Sequence, residues 1–97
     1  MIVKIYTTPN CPYCHMAKHF LKQNKIKFKE IDISKNEKAA EEMVEKSGQM
    51  GVPVIEIDRK IIVGFDLPAI KEALDLWFYL QVLIFRILWN LFIEKLN

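Results

Sequence analysis

The sequence predicts an α/β fold in which helices cover a mixed four-stranded sheet and an apolar helical extension follows. Three observations carry that expectation. β-branched and aromatic runs alternate with stretches of helical periodicity in the order βαβαββα. The last two strand-like runs are separated by a single tight turn, as in a hairpin. Apolar residues then continue well beyond the point at which one helix would cover so small a sheet.

IVKIY (2–6) runs into Thr-Thr-Pro-Asn and reads as a strand entering a turn. Pro12 stands where a first helical residue tolerates proline, because the N–H it lacks would be unpaired there. Ala17, Phe20 and Leu21 recur at helical spacing, with Lys18, Lys22 and Lys25 outside, to about Asn24. KFKEIDI (27–33) sets Phe28, Ile31 and Ile33 among charges and suits a second strand. Ser34 followed by Glu37 reads as a capping box opening the next helix. Ala39, Ala40, Met43 and Val44 form the apolar face of that helix, and Gly48 ends it. VPVIEID (52–58) and KIIVGF (60–65) are two strands joined at Asp58-Arg59, and Asp66 caps a final helix with Pro68 in its first turn. Helical crossovers between the first three strands predict parallel pairing among them, and the hairpin adds an antiparallel edge.

Composition narrows the function classes. The 97 residues allow one small domain. Residues 1–75 carry 12 Lys/Arg against 11 Asp/Glu, with no basic cluster interleaved with aromatics, which argues against nucleic acid as a partner. Two closely spaced cysteines cannot build the multi-bridge framework of a small secreted domain. MIVKIYTTP is too short and strand-like for a secretory signal, so a cytoplasmic location is expected.

The chemistry concentrates in TTPNCPYCHMAKHF (7–20), which holds both cysteines. A strand–turn–helix places Cys11 at a helix N-terminus, where unpaired N–H groups and the positive dipole end favour a thiolate. Thiolate is the nucleophile of disulfide exchange, and Cys-x-x-Cys motifs shift the thiol from ~8.5 to ~3.5–7.5. Cys14, one turn inward, is placed to attack a mixed disulfide on Cys11 and release the substrate. Pro12 and Tyr13 shape the turn between them, and Tyr13 is available to a substrate. Two other readings compete. Cys-x-x-Cys-His is a haem-attachment signature, but the regular elements leave few residues to enclose a haem. Zinc would need His15 and His19 beside the cysteines, a strained site closing within one helix. No resident metal or cofactor is expected.

YTTPNCPYC, GVPVIEID and VGFD together resemble the glutaredoxin and NrdH-redoxin branch of the thioredoxin superfamily, especially the short glutaredoxin-like proteins of the YruB type. The resemblance spans residues 1–75, taken as the thioredoxin-like domain. It implies a thioredoxin-like fold with helices on both faces of the sheet. It implies Cys11 as nucleophile, Cys14 as resolving thiol, and a cis Val52-Pro53 peptide facing them. Substrate contacts are implied at Pro12, Tyr13, Val52, Pro53, Gly64, Phe65 and Asp66. The activity implied is dithiol–disulfide oxidoreduction on protein or low-molecular-weight disulfides, with glutathione or a flavoprotein thioredoxin reductase as electron donor. The lysine that glutaredoxins often place three residues before the first cysteine is Thr8 here, and their paired glycines appear as Val63-Gly64. Asp66 serves either a γ-glutamyl ammonium or the helix cap alone. A different class of function stays open beside this one: a non-enzymatic interaction module whose cysteines hold a metal or cluster and whose tail recruits partners.

Residues 76–97, LWFYLQVLIFRILWNLFIEKLN, depart from the family pattern. Sixteen of these 22 residues are apolar, and they include six of the chain's eleven aromatics. At helical spacing Asp75, Tyr79, Arg86, Asn90, Glu94 and Asn97 make one narrow polar stripe. Spanning a bilayer is not favoured: central Arg86 removes ~3 of the ~4–7 kcal/mol offered by the aliphatic and Phe residues, and Gln81, Asn90 and the terminal charges reduce the margin further. Three fates remain: the helix lies in a membrane interface, giving a peripheral location; it associates with a second copy; or it folds back on its own domain.

Overall fold

The computed structural model describes the backbone of residues 1–96 and the side chains of residues 1–75 and 82–95. The elements follow the predicted order: β1 (Val3–Thr7), α1 (Pro12–Gln23), β2 (Lys29–Asp32), α2 (Glu37–Ser47), β3 (Val54–Ile57), β4 (Lys60–Val63) and α3 (Leu67–Leu96). The strands form one sheet in the order β2-β1-β3-β4. β1 and β2 are parallel, with Lys4 opposite Lys29.

β3 corrects the expectation of three parallel strands. It runs antiparallel to β1, with Val3 opposite Ile57 and Tyr6 opposite Val54. The cause is where the chain re-enters the sheet. After α2, residues 48–53 bring it back beside the C-terminal end of β1, so β3 must run the other way. The hairpin to β4 is antiparallel as expected, with Ile57 opposite Lys60 across the Asp58-Arg59 turn.

Strand alternation sorts the apolar side chains onto two faces. Val3, Ile5, Ile55, Ile57 and Ile62 meet Ala17 and Leu21 of α1 and Ile70, Ala73 and Leu74 of α3. On the other face Tyr6 and Val54 meet Met43 of α2, with Ile31, Ile33 and Ile61 packed around them. Helices therefore cover both faces: α1 and α3 one, α2 the other.

The cap of α2 is a second correction. Ser34 is engaged elsewhere, donating its hydroxyl (2.6 Å) and its N–H (2.9 Å) to Asp32 Oδ1 in a local turn. Asn36 takes the cap, its Oδ1 accepting from Ala39 N–H at 3.1 Å. Glu37 is thus the first helical residue rather than the third. Gly48 closes the helix at φ 72°, the left-handed conformation glycine adopts without steric cost.

α3 runs without a break through residue 75 to Leu96, a rod of roughly 45 Å at ~1.5 Å per residue. The radius of gyration, 17.1 Å, exceeds the ~12.5 Å of a compact chain this long. Every residue from 82 to 95 is exposed, which answers the fold-back expectation: this stretch does not return to its own domain. Tyr79 and Asn97 of the expected polar stripe lie outside the described side chains.

Candidate active site

Cys11 caps α1. Its backbone is extended (φ −108°, ψ 107°), its carbonyl accepts the first helical bond from His15 N–H at 3.2 Å, and Pro12 opens the helix. Cys11 Sγ accepts a hydrogen bond from the Cys14 N–H at 3.1 Å. In the protonated form the same sulfur faces the Val52 carbonyl at 3.8 Å. A donated N–H and the positive end of α1 both stabilise negative charge on that sulfur.

Cys14 has a different environment. It is wholly buried, whereas Cys11 keeps 9% of its surface open. Burial pushes the Cys14 thiol up to about 12, and the hydrogen bond and charge of Cys11 add to the rise, while the Thr8 backbone opposes it. Both cysteines are free thiols. One sulfur thus reaches the surface and the other waits behind it within one helical turn. That is the arrangement a two-step disulfide exchange requires.

The Val52-Pro53 peptide is cis. Pro53 is buried, and its carbonyl accepts from Gly64 N–H at 2.8 Å, which ties the loop before β3 to the end of β4. Gly64 sits at φ 78° with no atom within 4 Å of where a Cβ would lie, so backbone conformation rather than space selects glycine. Phe65 packs against the core face carrying α1 and α3. Asp66 is exposed, and its Oδ1 accepts from Ala69 N–H at 3.2 Å, capping α3. Tyr13 stands 61% exposed on the turn between the cysteines. The structure brings Cys11, Cys14 and Val52 into contact and links Pro53 to Gly64; Asp66 shows one carboxylate oxygen committed to the helix.

Several residues around this centre carry no motif. His15 donates through Nε2 to the Pro9 carbonyl at 3.2 Å, holding the loop before Cys11 against α1. Thr7, buried at the end of β1, donates to Glu30 Oε2 at 3.1 Å. That oxygen also receives Lys18 Nζ at 2.7 Å, and this pairing first of all, with the Thr7 bond helping against burial, holds the Glu30 carboxyl below its ordinary value. A polar groove of about 410 Å³ opens beside Thr8 and His15, walled by Lys18, Glu30, Asp32 and Lys35. Met50, 80% exposed, stands two residues before Val52. These partners come from β1, α1, β2 and the loops beside them, so only a helix-spacing argument linking His15 and Lys18 to the cysteines was available beforehand. Among the described residues no group of three or more His, Cys, Asp or Glu is placed to hold a metal ion.

The chain is similar to known proteins. A family model described as glutaredoxin matches residues 3–62, taking in both cysteines and Pro53 and stopping short of Gly64, Phe65 and Asp66. The chain is 43% identical over 74 residues to a glutaredoxin-like 8.6 kDa protein in a rubredoxin operon of Clostridium pasteurianum, covering 76% of this chain and 99% of that one. It is 45% identical over 64 residues to glutaredoxin 3 of Escherichia coli strain K12, covering 66% and 77%. Among solved structures it resembles the glutaredoxin-like NrdH-redoxin of Escherichia coli, with a TM-score of 0.62, 28% identity and coverage of 67% and 84%.

Proposed function

This chain belongs to the glutaredoxin family, and from that premise we propose that it reduces disulfides with Cys11 as attacking sulfur and Cys14 as resolving sulfur. The family makes it a thiol–disulfide oxidoreductase. One observation carries the assignment of roles: Cys11 Sγ receives the Cys14 N–H at the start of α1, while Cys14 is wholly buried with its thiol pushed up to about 12.

The Cys11 thiolate attacks one sulfur of a substrate disulfide, and the other sulfur leaves as a thiolate that takes up a proton. Cys11 is now in a mixed disulfide. It no longer carries charge or accepts a hydrogen bond from the Cys14 thiol, so two of the causes that hold the Cys14 proton are gone and only burial still raises it. Cys14 loses its proton, attacks Cys11 Sγ and expels the second substrate thiolate. Two electrons have passed to the substrate and a Cys11–Cys14 disulfide remains.

Pro12 and Tyr13 on one side, and Val52, Pro53, Gly64, Phe65 and Asp66 on the other, form the binding surface. Val52 offers its backbone to an extended substrate chain, in the manner of an added strand. Residues 1–75 are the redox unit, working where a reducing cytoplasm keeps its thiols reduced. The donor that reopens the Cys11–Cys14 bond is a flavoprotein thioredoxin reductase in preference to glutathione. Thr8 supplies no cation for a glycine carboxylate, and of the two lysines in the adjoining groove, Lys18 and Lys35, the first is committed to Glu30.

The test is trapping. Cys14→Ser should accumulate a mixed disulfide with a model disulfide protein, and Cys11→Ser should neither turn over nor accumulate one. An adduct on the Cys11→Ser variant reverses the roles.

A further inference from the structure

The family resemblance ends before the distal half of α3, and the structure leaves that half unpartnered. Every residue from 82 to 95 is exposed, the apolar ones from Leu83 at 37% to Phe85 at 67%. At ~100° per residue, Arg86, Asn90 and Glu94 share one side, while apolar residues occupy roughly 240° of the circumference. With Phe85, Trp89 and Phe92 exposed by half to two-thirds of their ~150–250 Å², residues 82–93 present on the order of 1,000 Å² of apolar surface. That exceeds the ~300–600 Å² of the largest patch on an ordinary monomer.

A second copy of the chain covers too little of it. The seam suited to a partner helix is Val82, Phe85, Trp89 and Phe92, at alternating spacings of three and four. Its aromatic rings already meet along the helix, Phe85 stacked on Trp89 at 6.4 Å and Trp89 tilted against Phe92 at 5.9 Å between centroids. Over the described side chains, pairing there hides under half of each apolar surface, and that stretch of two copies buries below the ~1,200 Å² of a stable interface. It also leaves Ile84, Ile87, Leu88 and Leu91 wet on the opposite side. A partner that flows around the helix covers the whole apolar arc while Arg86, Asn90 and Glu94 stay in water.

We propose that the distal half of α3 binds a lipid bilayer, lying in the headgroup–acyl boundary and holding the dithiol domain against the membrane surface. The polar stripe faces outward, and the apolar arc enters to the ~5–10 Å typical of such helices. Lys95, off the stripe near the end of the helix, reaches the headgroups along its apolar stem. Because Arg86 and Lys95 stand against Glu94 on this stretch, attraction to anionic lipid contributes little and zwitterionic lipid suffices. Among the described residues no helix is long and apolar enough to cross a membrane.

The experiment is cell-free synthesis of the full chain with phosphatidylcholine vesicles, followed by density flotation at low and high salt. The chain should rise with the vesicles at both salt concentrations. With Trp77→Phe isolating Trp89, its fluorescence should be quenched by brominated acyl chains. Phe85→Ser combined with Phe92→Ser should lower the partition coefficient by about a hundredfold, at roughly tenfold per lost ring. Disulfide reduction should be unchanged, since neither residue touches the dithiol domain, and that activity also shows the variant folded. A chain left at the bottom of the gradient overturns the proposal, whether it elutes as a monomer, elutes as an oligomer or pellets. Equal flotation of the doubly substituted chain overturns it as well.

Discussion

The division of labour between the cysteines can be measured on Cys14 alone. In the reduced protein its thiol is pushed up from 9.0 to about 12. At pH 8 such a thiol is ionised to about one part in ten thousand, against about one part in four for a free thiol near ~8.5. Ionisation alone therefore slows alkylation of Cys14 by roughly three decades. Cys11→Ser removes the sulfur whose hydrogen bond and charge supply the second and fourth largest causes, and leaves burial, the largest, in place. The midpoint of Cys14 alkylation should move below about 12 and stay above 9.0. The assay is mass spectrometry of iodoacetamide-quenched samples across the pH range in which near-UV circular dichroism shows an intact fold. The midpoint is the diagnostic quantity, because burial also slows the absolute rate by limiting access. A variant midpoint at or below the free-thiol value, or a wild-type Cys14 that reacts faster than Cys11, refutes the reasoning. The same shift has a stability consequence. The folded state favours the protonated thiol, so this contribution is complete below 9.0 and is lost as the pH rises toward about 12.

Two further outcomes test the binding surface. Asp66→Ala should destabilise the fold by about 0.5–2 kcal/mol in urea titration, because it removes the acceptor for Ala69 N–H. Asp66→Asn keeps an acceptor and should restore most of that stability. A raised KM for glutathione in Asp66→Asn would show that the carboxylate charge also meets substrate, and an unchanged KM leaves it as a cap alone. Thr8→Lys places a cation beside the groove at Thr8 and His15, and should increase glutathione-dependent turnover by one to two decades if a carboxylate lacks its partner there, at ~1.5–3 kcal/mol for a charge-assisted bond. No increase, together with efficient reduction by a flavoprotein thioredoxin reductase, removes glutathione as the donor.

The centre was legible in the chain because its geometry is local. Cys11 at the start of α1, Pro12 at the first helical position and Cys14 one turn inward follow from a few adjacent residues and the rules of helix ends. The Asp66 cap, the Gly48 stop and the Asp58-Arg59 hairpin were readable for the same reason. Even local signals fail where two compete. Ser34 and Asn36 both suit a helix cap, and the contest was decided when Asp32 engaged Ser34.

What the sequence determined by itself is the order of elements and a thiol pair at a helix N-terminus. The tertiary structure alone decided the direction of β3, because apolar alternation in Val54–Ile57 is the same whichever way a strand runs. That direction carries the start of β3 to the end of β1, where the Val52 carbonyl meets Cys11. The Thr7–Glu30–Lys18 cluster and the His15 tether to Pro9 likewise had no sequence signature, since each joins groups whose proximity exists only once the sheet is assembled. For the tail the two levels divide differently. Its apolar excess was plain in composition, but whether the domain had room to bury it depended on how much sheet remained uncovered. Ile70, Ala73 and Leu74 already complete that face, so the residues from 82 onward extend past it into solvent.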